Sequence, residues 1–544
     1  MLWVNVLSFL AVSHVYCDAA KILVFGTSNS KSHMISAGRI VDVLVKDGHN
    51  VTFVNLEVGH SIINFAGVRH LNVVPLGYVT PEEEHEYTEM VAERTKHTFD
   101  KETVWRMHDG TARFVESVVQ ACERALSQNT TTLNQLKSEN FDVLITEQLS
   151  ACGTGLTEVL NIPVHFIISS CALFDPIAKI YGVPTPMGYI PTAMAFSSAT
   201  DSMSFTQRAQ NLIESEVVSN AWMNTYTDTT TLFRKYYGNN FPDVRDIMVN
   251  RTPFLFVAVD DLIEFPRPWP PNVIRVGGLG IDFAHAADGL QLSEPCASEM
   301  TKGEKGVVFF SMGSAANTAG FPEIAKRNLF ETMKNFSDYH FIIKVDKSDD
   351  FSRELLKDAP NVFITTWAPQ PLLLRHPRLK LFITHGGYNS ILEVANCGKP
   401  LILLPMMYDQ TRNAGVVERN GWGKYVNKQT LLKSNKEFKQ ALTELLENES
   451  YTIAAKRIQK LLQTKPFTAN EVFIKHINFA IANNGQLPEL MPVANKLNLI
   501  QQHSLDVYAV ISGVVAVIVL IFVKICFKLA QLFLQKLSGK DKCE

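Results

Sequence analysis

Residues 367–410 read WAPQPLLLRHPRLKLFITHGGYNSILEVANCGKPLILLPMMYDQ. Within this stretch Lys380 to Thr384 is a short apolar run that ends at His385, which predicts a strand. Gly386 and Gly387 permit a tight turn and close backbone approach. Tyr388 to Asn396 has the spacing of a helix, stopped by Gly398 and Pro400, and Leu401 to Pro405 is the next strand. A strand, a turn, a helix and a second strand of the same sense make one unit of a parallel sheet.

The alternation extends in both directions. Gly306 to Phe310, His340 to Lys344 and Val362 to Thr366 are strand-like upstream, and Leu442 to Leu461 supplies closing helices downstream. A second series occupies the first half of the chain. There Lys21 to Phe25 precedes the small polar loop Gly26 to Lys31, a helix from Met34 to Lys46, a stop at Asp47-Gly48-His49 and a strand from Val51 to Val54. Phe141 to Ile145, Cys152 to Leu160 and Pro163 to Ser169 repeat the pattern as strand, helix and strand. The fold class is α/β, with two doubly wound Rossmann-type halves, each sheet covered on both faces. A chain of 544 residues has room for two such cores of about 200–250 residues each.

Residues 175–250 break the alternation and predict a helical excursion that covers a pocket and reaches toward the membrane. The stretch from Phe265 to Val273 is too rich in proline for regular structure. The organisation expected is a signal peptide (1–20), a first domain (21–282), a linker (283–300), a second domain with closing helices (301–500), a transmembrane helix (507–527) and a basic tail (528–544).

The ends carry the targeting signals. Leu2 to Cys17 is apolar and is followed by small residues at Ala19 and Ala20, as in a cleavable signal peptide, though its start lacks Lys and Arg. Val507 to Val523 has no charge and spans about 25 Å as a helix, long enough for a bilayer when extended through Phe527. Lysines 524, 528, 536, 540 and 542 follow, which predicts a cytosolic tail and a lumenal body. Lys540 and Lys542 resemble a dilysine retrieval signal of the endoplasmic reticulum. Sequons at Asn50, Asn129, Asn250, Asn335 and Asn448 agree with a lumenal body. Cys122, Cys152, Cys171, Cys296 and Cys397 are scattered and odd in number, so no disulfide framework is expected. A net charge of −3 argues against nucleic acid as a partner, and a homo-oligomer is left open.

The chemistry concentrates at three successive strand ends. A helix starting at Tyr388 points unpaired N–H groups beyond the strand before it, which favours a phosphate. His385, Asn389 and Glu393 are four apart and share one helical stripe. His385, Gly387, Asn389 and Ser390 suit a diphosphate, while Glu393, one turn deeper, suits the diol of a ribose. Trp367 offers a flat face for a base, Gln370 a donor and an acceptor for its edge, and Asp409 and Gln410 partners for sugar hydroxyls. The ligand implied is a base, ribose, diphosphate and sugar.

This stretch resembles the signature segment of the UDP-glycosyltransferase family, most closely its animal membrane-bound branch, which glucuronidates or glucosylates small lipophiles. The resemblance covers nearly the whole chain. Ser311-Met312-Gly313-Ser314 looks like the family's first donor loop, with Ser314 on the phosphates, and Phe265-Pro266-Arg267-Pro268 resembles its pre-linker stretch. The resemblance implies a GT-B arrangement, with the donor bound by the second half and the acceptor by the first. It places the catalytic base on His33, where an imidazole at the start of a helix can take a hydroxyl proton. The family orients this base with an aspartate, and Glu147 stands in that position here. The reaction implied is inverting transfer of glucuronate or glucose from a UDP-sugar co-substrate to a hydroxyl of a small lipophilic acceptor. The chain contains no Asp-x-Asp, so neither a metal nor a cofactor is expected. A membrane protein that binds a UDP-sugar without transferring it is the rival reading. A dehydrogenase would need G-x-G-x-x-G and an esterase G-x-S-x-G, and neither is present.

Overall fold

The computed structural model describes residues 19–28, 31–59, 73–194, 196, 199–281, 291–313 and 316–538. These fall into two units. One holds the described residues up to Ile180 and those from Pro184 to Met491, and the other holds Tyr181–Val183 with the described residues from Pro492 on.

The first unit is built on two sheets. Strands β1 (Lys21–Thr27), β2 (Asn50–Leu56), β3 (Val73–Leu76), β4 (Val143–Glu147), β5 (Val164–Ser169), β6 (Leu255–Val257) and β7 (Val273–Arg275) pair in the order β3-β2-β1-β4-β5-β6-β7. Strands β8 (Gly306–Ser311), β9 (Tyr339–Lys344), β10 (Val362–Thr365), β11 (Leu379–Thr384), β12 (Leu401–Leu403) and β13 (Gly423–Tyr425) pair in the order β10-β9-β8-β11-β12-β13. Every pairing is parallel. In each sheet the winding reverses beside the first strand, between β1 and β4 and between β8 and β11. That reversal opens a crevice at the carboxyl ends, where ligands of such sheets bind.

The strands are apolar without alternation because helices cover both faces. In the first sheet Ile22, Val24 and Phe53 pack on one side while Leu23, Phe25 and Val54 pack on the other. Helix α1 (Lys31–Lys46) buries Met34, Ala37, Ile40, Val41 and Leu44, a stripe set by its helical spacing. The helix is followed by Gly48 at φ +97°, and His49 is then buried, with Nδ1 accepting from the Ala20 N–H at 3.3 Å. The short strands β3, β6 and β13, of three or four residues, were not read from sequence. Runs that short carry too little periodicity, and a neighbouring strand decides them.

Helices α2 (Pro81–Lys96) and α3 (Val104–Gln128) lie between β3 and β4, and α4 (Cys152–Val159) follows β4. Contrary to the expectation from cysteine spacing, Cys122 of α3 and Cys152 of α4 form a disulfide, with Cα atoms 5.7 Å apart. Both cysteines are buried in the same face of the first sheet's core, and only that packing brings together residues 30 apart. The excursion at 175–250 contains the long helix α5 (Phe205–Tyr237), whose Trp222 stacks on Phe114 of α3 at 5.6 Å.

In the second half, α6 (Tyr388–Cys397) and α7 (Gln410–Arg419) follow β11 and β12. Gly398 caps α6 in the left-handed region at φ +63°, as its sequence predicts. Within the predicted linker, residues 283–290 lie outside the described residues, and Cys296–Glu299 is a short helix. Helix α8 (Ala469–Ala482) corrects the assignment of 301–500 to the second half alone. Its Phe473, Ile477 and Ala480 are fully buried in the core of the first sheet, with the Phe473 ring 4.8 Å from that of Phe256. The i, i+4, i+7 spacing makes one apolar face, and the first sheet supplies its partner.

The halves are also joined by charge. Arg412 of α7 donates to both oxygens of Glu264 at 3.0 and 2.8 Å, and both side chains are buried. In the second unit, α9 (Leu505–Ser538) has a stretch from Leu505 to Lys536 long and apolar enough to cross a membrane, with none of it buried. Residues 1–18 of the predicted signal peptide and Lys540 and Lys542 lie outside the described residues.

Candidate active site

The first half contributes a hydrogen-bonded relay. His33 lies in the first turn of α1, directly beyond β1. Its Nδ1 is 2.8 Å from Ser170 Oγ, and Ser170 Oγ is 2.8 Å from Glu147 Oε1. The direct gap from His33 Nδ1 to Glu147 Oε1 is 3.5 Å. A hydroxyl has one proton to give. When it donates to the carboxylate, it accepts from Nδ1–H, which leaves Nε2 with a free lone pair. Glu147 is pinned in turn, since its Oε2 accepts from the Leu149 N–H at 2.8 Å. Ser170 was missed in sequence, where Glu147 was expected to meet the imidazole unaided. Its signal was its place immediately after β5, the strand beside β4.

The imidazole feels both halves of the chain. Burial works to lower the pKa of His33, but the carboxylates of Glu147 and Asp409 outweigh it and hold the group above its ordinary 6.5. Asp409, just before α7, is itself shifted upward by burial, against the opposing pull of Asn413, Arg412 and His33. Asp409 Oδ2 accepts from Asn413 Nδ2 at 2.8 Å. Tyr408, its neighbour, has φ +57° and lies under the guanidinium of Arg94 from α2, 4.5 Å from the ring centroid.

The second half is shaped by glycines. Gly313, beyond β8, has φ +72°, and a Cβ there would come within 2.5 Å of the His385 ring. A Cβ on Gly387 would come within 2.6 Å of the same ring, so glycine on both sides is what seats this histidine. His385 is almost fully buried, and burial, helped by Lys344, pushes its pKa down to about 4. It is therefore a neutral ring at pH 7 and can give an anion an N–H but not a charge. The nearby charge belongs to Lys344 at the end of β9, a residue the sequence reading passed over. Its Nζ donates to the Gly313 carbonyl at 3.0 Å, and burial, then Lys31, lower its pKa. Gly387 caps α6 with no side-chain cap, so the first amides of that helix are available to a ligand.

The remaining donor candidates gather along α6. Gln370 Nε2 donates to Glu393 Oε2 at 2.8 Å and reaches Ser390 Oγ at 3.2 Å. Asn389 Nδ2 donates to Ser36 Oγ at 3.0 Å, and Arg39 Nη2 donates to Glu393 Oε1 at 2.9 Å. Trp367, beyond β10, is 67% exposed, leaving its face free to stack. Gln410 has its side-chain oxygen engaged within its own loop. Its Oε1 accepts from the N–H groups of Met406 and Met407 at 2.8 and 3.1 Å, bracing the loop that presents Asp409. Ser314 lies outside the described residues.

Two cavities flank the relay's half. One is lined by Phe25, Ile145, Ile168 and Leu279, with Asn389 and Leu392 from the second half, and shares Glu147 and Ser170 with the relay. The other is lined by Phe174, Met194, Val218 and Trp222 with Asp175 and Thr192. Among the described residues no cluster of three or more His, Cys, Asp or Glu is arranged to hold a metal ion.

Comparison with known proteins identifies the family and the fold. Residues 20–540 match the family described as UDP-glucoronosyl and UDP-glucosyl transferase. A putative UDP-glucuronosyltransferase of Caenorhabditis elegans is 35% identical over 497 residues, 90% of each chain. UDP-glucuronosyltransferase 1-2 of Rattus norvegicus is 26% identical over 94% of this chain and 91% of its own. Among solved structures, the glycotransferase of kitacinnamycin superposes with a TM-score of 0.58 over 85% of this chain and 99% of its own, at 16% identity. Phytolacca americana UGT2, complexed with UDP-2fluoro-glucose and pterostilbene, does so with a TM-score of 0.54 over 85% and 99%, also at 16% identity. With both sheets wound about facing switch points, the arrangement is GT-B, and the chain belongs to the UDP-glucuronosyl and UDP-glucosyl transferase family.

Proposed function

We propose that the chain moves glucuronate or glucose from a UDP-sugar to a hydroxyl of a small lipophilic acceptor, with inversion, and that His33 is the general base. The observation that carries this reading is the relay His33–Ser170–Glu147, with the Asp409 carboxylate acting on the same imidazole from the other half. Nε2 takes the acceptor's proton as its oxygen attacks the anomeric carbon. The bond from that carbon to the diphosphate breaks, and UDP leaves with the electron pair. Glu147, through Ser170, stabilises the imidazolium formed. The amides at the start of α6, with Asn389, Ser390, His385 and Ser314, receive the diphosphate. Trp367 and Gln370 take the base, Glu393 the ribose, and Asp409 and Gln410, in the loop that Gln410 braces, the sugar.

Residues 21–282 would bind the acceptor, closed by α8, and the second sheet the donor. The apolar linings of both cavities support a lipophilic acceptor. The disulfide and the α9 helix support a body on the lumenal side of the endoplasmic reticulum membrane, anchored by one span.

The test is UDP release with a phenolic acceptor, comparing the wild type with His33→Ala. The expected loss is about a thousandfold, with UDP binding by calorimetry unchanged. Release retained by the variant would reject His33 as the base. Binding without release in the wild type would favour the rival, a binder that does not transfer.

A further inference from the structure

Helix α1 does more than carry His33. Ser36 and Arg39, one and two turns further along it, each engage a donor-site side chain of the second half. Asn389 Nδ2 donates to Ser36 Oγ at 3.0 Å and Arg39 Nη2 donates to Glu393 Oε1 at 2.9 Å. Nothing in the sequence joins Arg39 to Glu393, which stands 354 positions away.

We propose that Arg39 completes the donor site from the acceptor half: it orients the Glu393 carboxylate toward the ribose and balances its charge beside the diphosphate. This rests on the reading that Glu393 takes the ribose. The argument is one of lone pairs and charge. An ionised carboxylate offers about four acceptor positions. Arg39 uses one on Oε1 and Gln370 one on Oε2, which leaves two for a cis-diol without displacing either. Glu393 is also one turn along α6 from Asn389, about 6 Å. An anion that close to the diphosphate repels it unless a cation balances it. Both partners are shielded from water, with side chains 22% and 11% exposed, so solvent alone screens the charge poorly.

The experiment separates charge balance from mere packing by using two ligands. UDP is titrated calorimetrically into the full-length protein in detergent, and uridine, which lacks the diphosphate, is measured by competition against it. The proteins are the wild type, Arg39→Met, Arg39→Lys, Glu393→Gln and the double variant R39M/E393Q. Arg39→Met is expected to weaken UDP by about five- to tenfold, an effect moderated by partial exposure, and uridine by no more than about twofold on the same grounds. Arg39→Lys is expected to restore most of the UDP affinity, and the Arg39→Met deficit to shrink in high salt. In the Glu393→Gln background, Arg39→Met is expected to cost UDP nothing further, because the charge to be balanced has gone. Equal losses for the two ligands would overturn the proposal, as would tighter UDP binding by Arg39→Met, which would mark Arg39 as a plug. Absence of UDP binding in the wild type is a separate outcome. It would overturn the donor-site reading and this proposal with it.

Discussion

The two sheets share one winding and build their ends by opposite means. Beyond β8 and β11 the site is made of backbone: Gly313 and Gly387 leave space for one ring, and α6 begins without a side-chain cap. Beyond β1, β4 and β5 it is made of side chains, in which a histidine, a serine and a glutamate are hydrogen-bonded in line. On the proposed function the difference follows from the task. A diphosphate is recognised by amides and close approach, which need glycine, whereas a proton is moved by titratable groups held in line. The first half should then be fragile in rate and the second in affinity, with the contacts between them deciding stability.

The largest effect outside the base itself is expected where the halves meet. Arg412→Met leaves Glu264 buried without its partner and should destabilise the protein by about 3–5 kcal/mol, read as a fall in melting temperature. The double variant R412M/E264M should recover most of that loss, and its failure to do so would mean that the pair matters for more than its charges.

Next in size is the exposed indole. Trp367→Ala should weaken UDP by roughly tenfold or more, at about 1–3 kcal/mol for a stacked base, while leaving turnover at saturating donor near the wild type. A loss of turnover instead would break the division between affinity and rate.

The smallest effect concerns pH and sharpens the division most. The proposed base works unprotonated, so activity is expected to rise as pH rises through the His33 pKa, which lies above 6.5. Glu147 is the leading group raising it, so Glu147→Gln should move the rising limb of kcat/KM toward acid and lower its plateau. Ser170→Ala should lower the plateau by about tenfold, as loss of one charge-assisted contact does. A limb that stays in place in Glu147→Gln would show that the carboxylate does not act on this imidazole.

Much of this was legible because it is local. The strand, glycine turn and helix at 380–397 declare themselves within eighteen letters, since backbone preferences decide them there. The relay's His33 and Glu147 were legible as candidates because each lies at the end of a strand with a clear pattern. Ser170 was not, although it stands at the end of the adjacent strand, because serine and cysteine after a strand carry no signature of their own. Lys344 was passed over for the same reason. Gln410 is a candidate sugar ligand by its position, and its side-chain oxygen also holds backbone amides that only the folded loop brings near.

The amino-acid sequence alone determined the two parallel sheets, the glycine-led helix start and the apolar terminal helix, because periodicity, glycine and unbroken hydrophobic length act over a few residues. Tertiary structure alone decided that Cys122 meets Cys152, that α8 returns to the first sheet and that Arg39 reaches Glu393. Each of these joins groups through space with no fixed spacing along the chain. The packing of cores, which no local pattern records, is what brings them within bonding distance.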